Sequence, residues 1–260
     1  MEAGISYETL RVRDELEVVR ITLCRPEYNS INGVMLAELH RALDQAEDSR
    51  DCRIVVLEGT AGAFCTGMDF ADAIRSDGGS DVTARGGEAF LGLLRRFTAI
   101  PRAVVALVDG RVIAGGVGIA AASDFVYASP RSTFSLPEAL WGLLPCCVLP
   151  FLIRRVGFQP AYAMTLSTLP VNAEKAHMLH LVDELTEDAD ALVRRLRARL
   201  TKLDASTIAD LKRYLRRMWF LSEDMESLAV AEFTRLMASP VVRARISSFA
   251  SAQVLPWEHR

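Results

Sequence analysis

Apolar and polar positions alternate along the start of the chain and then recur at helical spacing. Residues 7–13 and 17–24 alternate apolar and polar side chains on either side of Asp14 and Glu15, which predicts a β-hairpin that turns at these two acidic residues. Apolar side chains then repeat along residues 34–46 with the period of one helix face, which predicts an amphipathic helix. The N-terminal part is therefore predicted to be mixed α/β.

Two short runs of β-branched residues, 53–58 and 103–108, are typical of strands buried on both faces. A glycine-containing turn and a helical stretch follow each run, so the pattern indicates the repeated βα units of a layered α/β domain. From about Pro160 onward strand signals nearly vanish, which predicts a helical last third. The helical patterns there cover residues 188–203, 205–221 and 222–237.

One segment, residues 76–87, is rich in Ser, Asp and Gly. This composition is typical of a connecting loop, and no other stretch of the chain reads as a linker. We expect a mobile loop near a functional site here, in preference to a domain boundary.

The composition is that of an ordinary globular protein of 260 residues, with 50% hydrophobic and 24% charged residues and a net charge of -3. Such a balance argues against intrinsic disorder and against a polyanionic partner such as nucleic acid. The N-terminus has neither a basic nor an apolar signal region, and no apolar run reaches the roughly 18 residues that crossing a membrane requires. We expect a soluble, cytoplasmic protein without membrane contact.

The cysteines and histidines form no recognisable metal or redox motif. The five cysteines lack the two-residue spacing of zinc and redox sites, and the four histidines lack metal-ligand spacing. We therefore expect no metal and reduced thiols. Cys65 is expected to pack in the core, because no His or Lys near it in sequence would activate the thiol.

Two glycine-bearing turns, residues 64–70 and 110–118, lie where a buried strand gives way to a helix. A helix start carries N–H groups without partners and the positive end of the helix dipole. Two such starts that converge on one oxygen would form an oxyanion hole for a thioester enolate. Tight turns and close helix packing are the alternative explanation of these glycines.

Other chemistries that use glycine-rich loops fit less well. Gly115, Gly116 and Gly118 do not follow the spacing of dinucleotide-binding loops, and no Gly-Lys-Ser/Thr follows any such loop. The chain also lacks a recognisable Ser elbow or Cys–His pairing, which argues against a hydrolase. Thioester enolate chemistry remains.

The order of several motifs carries more information than either turn alone. These motifs are residues 25–30, 64–70, 110–128, 134–138 and 181–184. In their order and spacing, from about Ser6 to Trp257, the chain resembles the crotonase (enoyl-CoA hydratase/isomerase) family. The resemblance implies an α/β fold, with a crotonase-type spiral of ββα units over residues 1–195 and a C-terminal helical trimerisation region over residues 196–260.

The same resemblance implies the roles of the two turns and the assembly. The oxyanion donors are then the N–H groups of Met68 and Gly115, with Gly67 and Gly116 beside them in the substrate-binding surface. The implied assembly is a homotrimer or a dimer of trimers.

Family hydratases usually carry two carboxylates, and this chain keeps one of them. The position three residues after the central oxyanion glycine is Gly118, whereas the carboxylate of the later Pro-Glu segment is present as Glu138. The resemblance therefore implies that Glu138 is the catalytic acid/base, and a first-turn helix carboxylate is the alternative. Asp69, beside an oxyanion donor, is a candidate second acid, although a helix cap is the stronger explanation.

Residues 134–157 are similar to the hydroxymethylglutaryl-carrier-protein dehydratases of polyketide β-branching cassettes. This similarity implies dehydration of a 3-hydroxy-3-methylglutaryl group held on the phosphopantetheine of an acyl carrier protein. It implies no other cofactor, and a second, decarboxylating crotonase homologue that uses the 3-methylglutaconyl product. Arg111 or the 76–87 segment is the candidate partner of the distal substrate carboxylate.

Two alternatives stay open. An enoyl-CoA isomerase or hydratase acting on a CoA thioester would use the same oxyanion hole and Glu138, and a catalytically silent scaffold subunit would need neither. Basic clusters supply a candidate surface for an acidic carrier protein, although solvated helix faces explain such clusters more often. The clusters are Arg154 with Arg155, and Lys212 and Arg213 with Arg216 and Arg217.

Overall fold

Ten strands form two sheets in the computed structural model, which describes residues 6–60, 62–70, 72, 80–219 and 223–257. The strands are β1 (Leu10–Glu15), β2 (Val18–Leu23), β3 (Ile54–Glu58), β4 (Ala63–Cys65), β5 (Ala103–Val108), β6 (Arg111–Ile113), β7 (Phe125–Ala128), β8 (Thr133–Ser135), β9 (Val171–Asn172) and β10 (Glu184–Leu185). The larger sheet has the order β1-β2-β3-β5-β7-β10, and the smaller one β4-β6-β8-β9. All pairings are parallel except β1–β2 and β8–β9.

Helices surround both sheets in the described residues. They are α1 (Gly33–Asp48), α2 (Ser80–Phe97), α3 (Gly115–Ala122), α4 (Glu138–Trp141), α5 (Leu149–Val156), α6 (Phe158–Ser167), α7 (Ala173–Met178), α8 (Ala189–Leu200), α9 (Ala205–Arg216), α10 (Glu223–Met237) and α11 (Pro240–Ala252). The predicted α/β fold with a helical last third is confirmed.

The larger sheet is buried on both faces because its central strands are aliphatic. The side chains of β3 from Ile54 to Leu57 are fully buried, as are Val104 and Val105 of β5. One face packs on α1, α2 and α3, and the other face packs on α8. The predicted strands at 53–58 and 103–108 are confirmed, and the helix predicted over 34–46 is α1.

The N-terminal hairpin is confirmed, but its turn lies two residues later than predicted. Glu15 pairs with Val18, so Leu16 and Glu17 form the turn and Asp14 lies within β1. The observed register turns the alternate apolar side chains of both strands toward the core. Burial of those side chains outweighs the preference of acidic residues for turns.

The predicted loop at residues 76–87 is wrong over its second half. Helix α2 begins at Ser80, and residues 76–79 lie outside the described part of the chain. Gly87 lets α10 approach α2 closely, because a Cβ there would lie 3.1 Å from the Phe233 ring. Packing of α10 against α2 thus outweighs the low helix propensity of the glycine-rich sequence.

The C-terminal helices pack against the α/β layers. The helices predicted over 188–203, 205–221 and 222–237 correspond to α8, α9 and α10. Helix α10 packs on α2, and α11 packs on α4. The predicted boundary between residues 195 and 196 falls inside α8, so the division into two regions stays a prediction. None of the described helices is long and apolar enough to cross a membrane.

Candidate active site

Three neighbouring strands of the smaller sheet end at the same edge, and each precedes a segment that the sequence singled out. Strands β4, β6 and β8 run parallel, with Val112 of β6 paired to both Cys65 of β4 and Phe134 of β8. The carboxyl ends of adjacent parallel strands meet at one edge, where ligands of α/β proteins bind. The segments that this register brings together are residues 67–68, residues 114–115 and Glu138.

The two predicted oxyanion donors, the N–H groups of Met68 and Gly115, lie on adjacent turns. A Cβ built at Gly67 would lie 3.4 Å from the backbone nitrogen of Gly115. Ile31 fixes the first turn, because its N–H donates to the Gly67 carbonyl at 2.7 Å and its carbonyl accepts the Asp69 N–H at 2.9 Å. The Met68 N–H between them donates to no backbone carbonyl of the described residues. The Gly115 N–H is the first of helix α3, so both groups are available to a ligand oxygen.

Close approach of these turns requires glycine and strains one neighbour. Gly67 has φ +84°, and a Cβ there would lie 2.8 Å from the Ala114 Cβ. A Cβ at Gly116 would lie 2.3 Å from the Cys65 carbonyl oxygen, so Gly116 allows the two turns to pack. Ala114 has φ 53° and ψ -116°, a conformation that L-residues rarely adopt. This strained residue directly precedes Gly115, whose N–H is the second predicted oxyanion donor.

Glu138 is the first residue of α4, shortly after β8 ends. Its Oε2 atom is buried and has no hydrogen-bond partner among the described residues. Burial raises the pKa of Glu138 to about 7. A carboxyl group with this pKa takes or gives a proton near neutral pH, which suits an acid/base catalyst.

An aromatic cluster holds the short helix that carries Glu138. The Trp141 ring at the end of α4 packs edge-on against Phe70 and Phe249, at centroid distances of 4.9 and 5.1 Å. Gly142 then ends the helix in the left-handed conformation, at φ +82°. Helix α11 therefore supports, through Trp141, the short helix that carries Glu138, although α11 lies far away in sequence.

The carboxylate of Asp69 is engaged in structural contacts. One oxygen accepts the Asp72 N–H at 3.0 Å as a helix cap, and the other pairs with Arg25 at 2.5 Å. Arg25 also donates to the hydroxyl and carbonyl oxygens of Ser30, at 2.5 and 3.1 Å. These contacts fit the capping alternative and clamp the first oxyanion turn to residues 25–31. A role for Asp69 as second acid stays a prediction.

Arg111 lies at the amino end of β6, at the other end of the strand from Gly115. Its guanidinium stacks over the Tyr28 ring at 4.2 Å. The Tyr28 carbonyl in turn accepts the Thr66 hydroxyl at 3.1 Å. The strand direction does not bring Arg111 to the edge that holds Glu138, so its assignment to the distal substrate carboxylate stays a prediction.

Three members of the predicted docking clusters face inward. Lys212 pairs with Asp124 at 2.5 Å. Arg154 and Arg155 donate to backbone carbonyls, and Arg154 stacks over the Trp219 ring at 4.9 Å. The prediction that these three residues form a docking surface is wrong, because each satisfies acceptors inside the protein. The members left at or near the surface are Arg213, Arg216 and Arg217.

Gly118 faces hydrocarbon groups at the position where the resemblance places a second carboxylate. A Cβ there would lie 3.0 Å from Val148 Cγ2 and 3.3 Å from both Leu94 Cδ1 and Phe90 Cζ. The site is therefore apolar on this side, at the place where the family's second carboxylate would stand.

Three of the five thiols, those of Cys52, Cys65 and Cys147, are buried. Burial raises the pKa of both Cys65 and Cys147 to about 12, and that of Cys146 to about 11, so all three stay protonated. The prediction that Cys65 packs in the core is confirmed. In the described part of the chain, no group of three or more His, Cys, Asp or Glu side chains could hold a metal ion.

Reasoning from the sequence did not assign Asn29 or Phe90 to the site. Asn29 is 1% exposed, and its amide donates to the carbonyls of Ala63 and Phe64 at 3.0 and 3.3 Å, which holds β4 in place. The position of Asn29 inside the 25–30 motif was the sequence feature that could have identified it. Phe90 carried no signal, because its contact with α3 joins helices that are distant in sequence.

Comparison with known proteins shows the family of this chain. Residues 13–240 match the model of the family described as enoyl-CoA hydratase/isomerase. The chain is 33% identical over 255 residues to the bacillaene synthase dehydratase of Bacillus subtilis, with 98% of each chain covered.

Solved structures agree with the fold. A polyketide biosynthesis enoyl-CoA hydratase from Bacillus subtilis, 32% identical, superposes with a TM-score of 0.87 over 95% of this chain and 98% of that one. An enoyl-CoA hydratase/isomerase from Xanthobacter autotrophicus Py2, 25% identical, superposes with a TM-score of 0.86 over 95% and 94% of the two chains.

Proposed function

Because the chain belongs to the enoyl-CoA hydratase/isomerase family, we propose that it dehydrates a 3-hydroxy-3-methylglutaryl thioester to the 3-methylglutaconyl thioester in polyketide β-branching. One observation carries this proposal: two N–H donors without backbone partners share an edge with Glu138, whose buried Oε2 has no partner among the described residues. The likeness to the bacillaene synthase dehydratase supports a dehydratase over the other reactions of the family.

The first step is removal of the proton from C2 of the substrate. The N–H groups of Met68 and Gly115 hold the thioester oxygen, on which negative charge develops. The electrons of the C2–H bond form the C1=C2 bond of the enolate, and the Glu138 carboxylate takes the proton. Donors that are fixed before the reaction stabilise this charge without reorganisation.

The second step is loss of the 3-hydroxyl group. The enolate electrons form the C2=C3 bond, the C3–O bond breaks, and the leaving oxygen takes the proton from Glu138 to depart as water. Glu138 ends as a carboxylate, ready for the next cycle. A pKa of about 7 suits both roles, and one carboxylate suffices if both groups leave from the face that Glu138 occupies.

The carrier of the substrate is part of the proposal. The acyl group arrives on the phosphopantetheine of an acyl carrier protein, and the likeness to a polyketide synthase dehydratase supports this handle over CoA. What remains of the predicted docking surface, Arg213 with Arg216 and Arg217, offers positive charge to an acidic carrier.

The test compares Glu138→Gln with the wild type on the carrier-bound substrate and on its CoA analogue. We expect Glu138→Gln to lower kcat by about a hundredfold or more with folding intact, because it removes the base. Glu174→Gln is the matched control, since Glu174 is also a first-turn carboxylate, on α7, but is exposed. It should keep full activity, and the wild type should have the higher kcat/KM with the carrier-bound substrate.

Each contrary result points to a different error. Activity retained by Glu138→Gln would remove this residue from the mechanism. Turnover of a 3-enoyl-CoA alone would identify an isomerase, and no turnover of any thioester would favour a scaffold. Equal kcat/KM values for the two handles would overturn the carrier assignment and leave the reaction intact.

A further inference from the structure

Phe90 of α2 faces both Gly115 and Gly118 of α3. Its ring atom Cζ lies 3.3 Å from where a Cβ would stand at Gly115 and 3.3 Å from where one would stand at Gly118. We propose that Phe90 is a specificity-determining residue, which forms the wall against which the 3-methyl branch of the substrate packs. The inference rests on the proposed function, because it assigns the branch of that substrate to a surface of the same site.

The spacing along α3 explains how one ring reaches both positions. Gly115 and Gly118 are three residues apart, so they lie on the same face of the helix, one above the other. Gly115 supplies the oxyanion N–H, and the reacting carbons of a bound thioester are attached to the carbonyl that it holds. A ring that spans this face therefore lies beside those carbons.

The chemistry of the wall matches a methyl group. Leu94 Cδ1 and Val148 Cγ2 accompany Phe90 around the Gly118 position, and Ile31 Cδ1 would lie 3.0 Å from a Cβ at Gly115. All of these contacts are hydrocarbons. C3 of the substrate carries a methyl group, a hydroxyl group and the arm that ends in the distal carboxylate. The hydroxyl must face Glu138 to receive a proton, and a carboxylate is costly to bury against hydrocarbon. The apolar wall is then left for the methyl group.

The wall is held firmly, as a specificity surface requires. Close packing at Gly87 fixes α2 against Phe233 of α10, and Arg95 of α2 pairs with Glu226 of α10 at 2.9 Å. On the other side, Arg96 donates to a backbone carbonyl of α1 at 2.8 Å. Helix α2 thus carries Phe90 as part of a rigid layer, and truncation of its ring should open a cavity without moving the helix.

The experiment measures kcat/KM for two thioesters, those of 3-hydroxy-3-methylglutarate and of 3-hydroxyglutarate, which lacks the methyl group. We expect the wild type to favour the methylated substrate. Phe90→Ala should lower the ratio of the two kcat/KM values by about tenfold, and Phe90→Leu by less, because a pocket contact with one methyl group typically discriminates by about 10- to 200-fold. Phe233→Ala is the matched control, since it loosens α2 from α10 but does not touch the wall.

The outcomes separate this inference from the proposed function. If the wild type turns over neither hydroxyacyl thioester, the proposed function fails. If it favours the methylated substrate but Phe90→Ala keeps the ratio within about twofold, only the role of Phe90 is wrong. Should Phe90→Ala not fold, a folded Phe90→Leu with an unchanged ratio of the two kcat/KM values is sufficient to reject the role of Phe90. An equal fall of this ratio in Phe233→Ala would assign the effect to the position of α2 as a whole.

Discussion

The Glu138 carboxyl group is placed where ionisation is costly. Burial raises its pKa from the ordinary value of 4.5 to about 7, so the folded protein keeps a proton that the unfolded chain has already lost between these pH values. The stability that the protonated form contributes is present below about pH 4.5 and is lost as the pH rises through 7. Ionised Glu138 therefore lowers the stability of the fold, but it supplies a base that works near neutral pH.

The raised pKa of Glu138 predicts opposite effects of pH on activity and on stability. We expect kcat/KM of the wild type to rise with pH through about 7, because the first step needs the carboxylate. Glu138→Gln has no charge to bury, so its melting temperature should exceed that of the wild type by a few degrees at pH 8 and match it near pH 4.5. Thermal denaturation at both pH values, with Glu174→Gln as the control, checks the second expectation. A wild type that is as stable as Glu138→Gln at pH 8 would show that the carboxyl group is better solvated than its contacts indicate.

At the scale of elements, strand register and glycine geometry bring the two proposed oxyanion turns together. Strands β4, β6 and β8 are each three residues long, yet their parallel pairing brings three distant segments to one edge. The close approach of the two turns then depends on Gly67, whose missing side chain leaves room for Ala114. Comparison of Gly62 with Gly67 distinguishes the effect of this contact from the effect of backbone strain. Both Gly62 and Gly67 have positive φ, but no atom lies within 4 Å of a Cβ at Gly62.

We expect Gly67→Ala to damage activity far more than Gly62→Ala. Both variants bear the cost of a left-handed alanine, about 1–2 kcal/mol. Only Gly67→Ala also pushes against the Ala114 Cβ, and this should displace the Gly115 N–H and lower kcat by about tenfold to a hundredfold. Circular dichroism and steady-state kinetics on both variants provide the measurement. Equal losses of kcat would mean that the two turns adjust independently and that the contact does not set the oxyanion geometry.

At the scale of the whole molecule, buried ion pairs fasten the C-terminal helices to the sheet. Lys212 of α9 is 9% exposed at its side chain and pairs with Asp124, which also accepts the Val104 N–H of β5 at 2.7 Å. Lys212 further donates to the carbonyls of Phe97 and Arg102, at 2.9 and 2.6 Å. One ammonium group therefore joins α9 to the end of α2 and the start of β5.

Loss of this group should weaken the whole fold. We expect Lys212→Met to lower the free energy of unfolding by about 3 kcal/mol, because it leaves the Asp124 carboxylate without its positive partner and removes the ammonium donor from two carbonyls. Lys202→Met, at an exposed position beyond α8, should change it little. Urea denaturation of both variants measures the difference. If Lys212→Met proves as stable as Lys202→Met, water replaces the ammonium group and α9 is held by apolar packing alone.

Apolar side chains are exposed on two of the helices, α6 and α9. Exposed apolar side chains line one face of α6 at every fourth residue, Phe158, Tyr162 and Leu166, and a second group lies on α9. Such faces are the surface that the predicted homotrimer would bury. The assembly stays a prediction.

The sequence by itself determined several local elements and the family. Periodicity was enough for α1, β3 and β5, because a helix or strand that buries one face or both must repeat apolar residues along the chain. The ordered motifs indicated the family and pointed to the N–H groups of Met68 and Gly115 and to Glu138, since these groups lie in short continuous segments.

Only the tertiary structure decided which groups meet. The hairpin turn lies at Leu16 and Glu17, two residues later than predicted, because burial of the apolar side chains of both strands sets the register. The glycine-rich segment became helix α2 because α10 packs on it, and Lys212 turned inward because Asp124 lies beneath it. Phe90 reached α3 through a helix contact that no local pattern records. In each case the deciding energy comes from residues distant in sequence, and a local pattern carries no information about them.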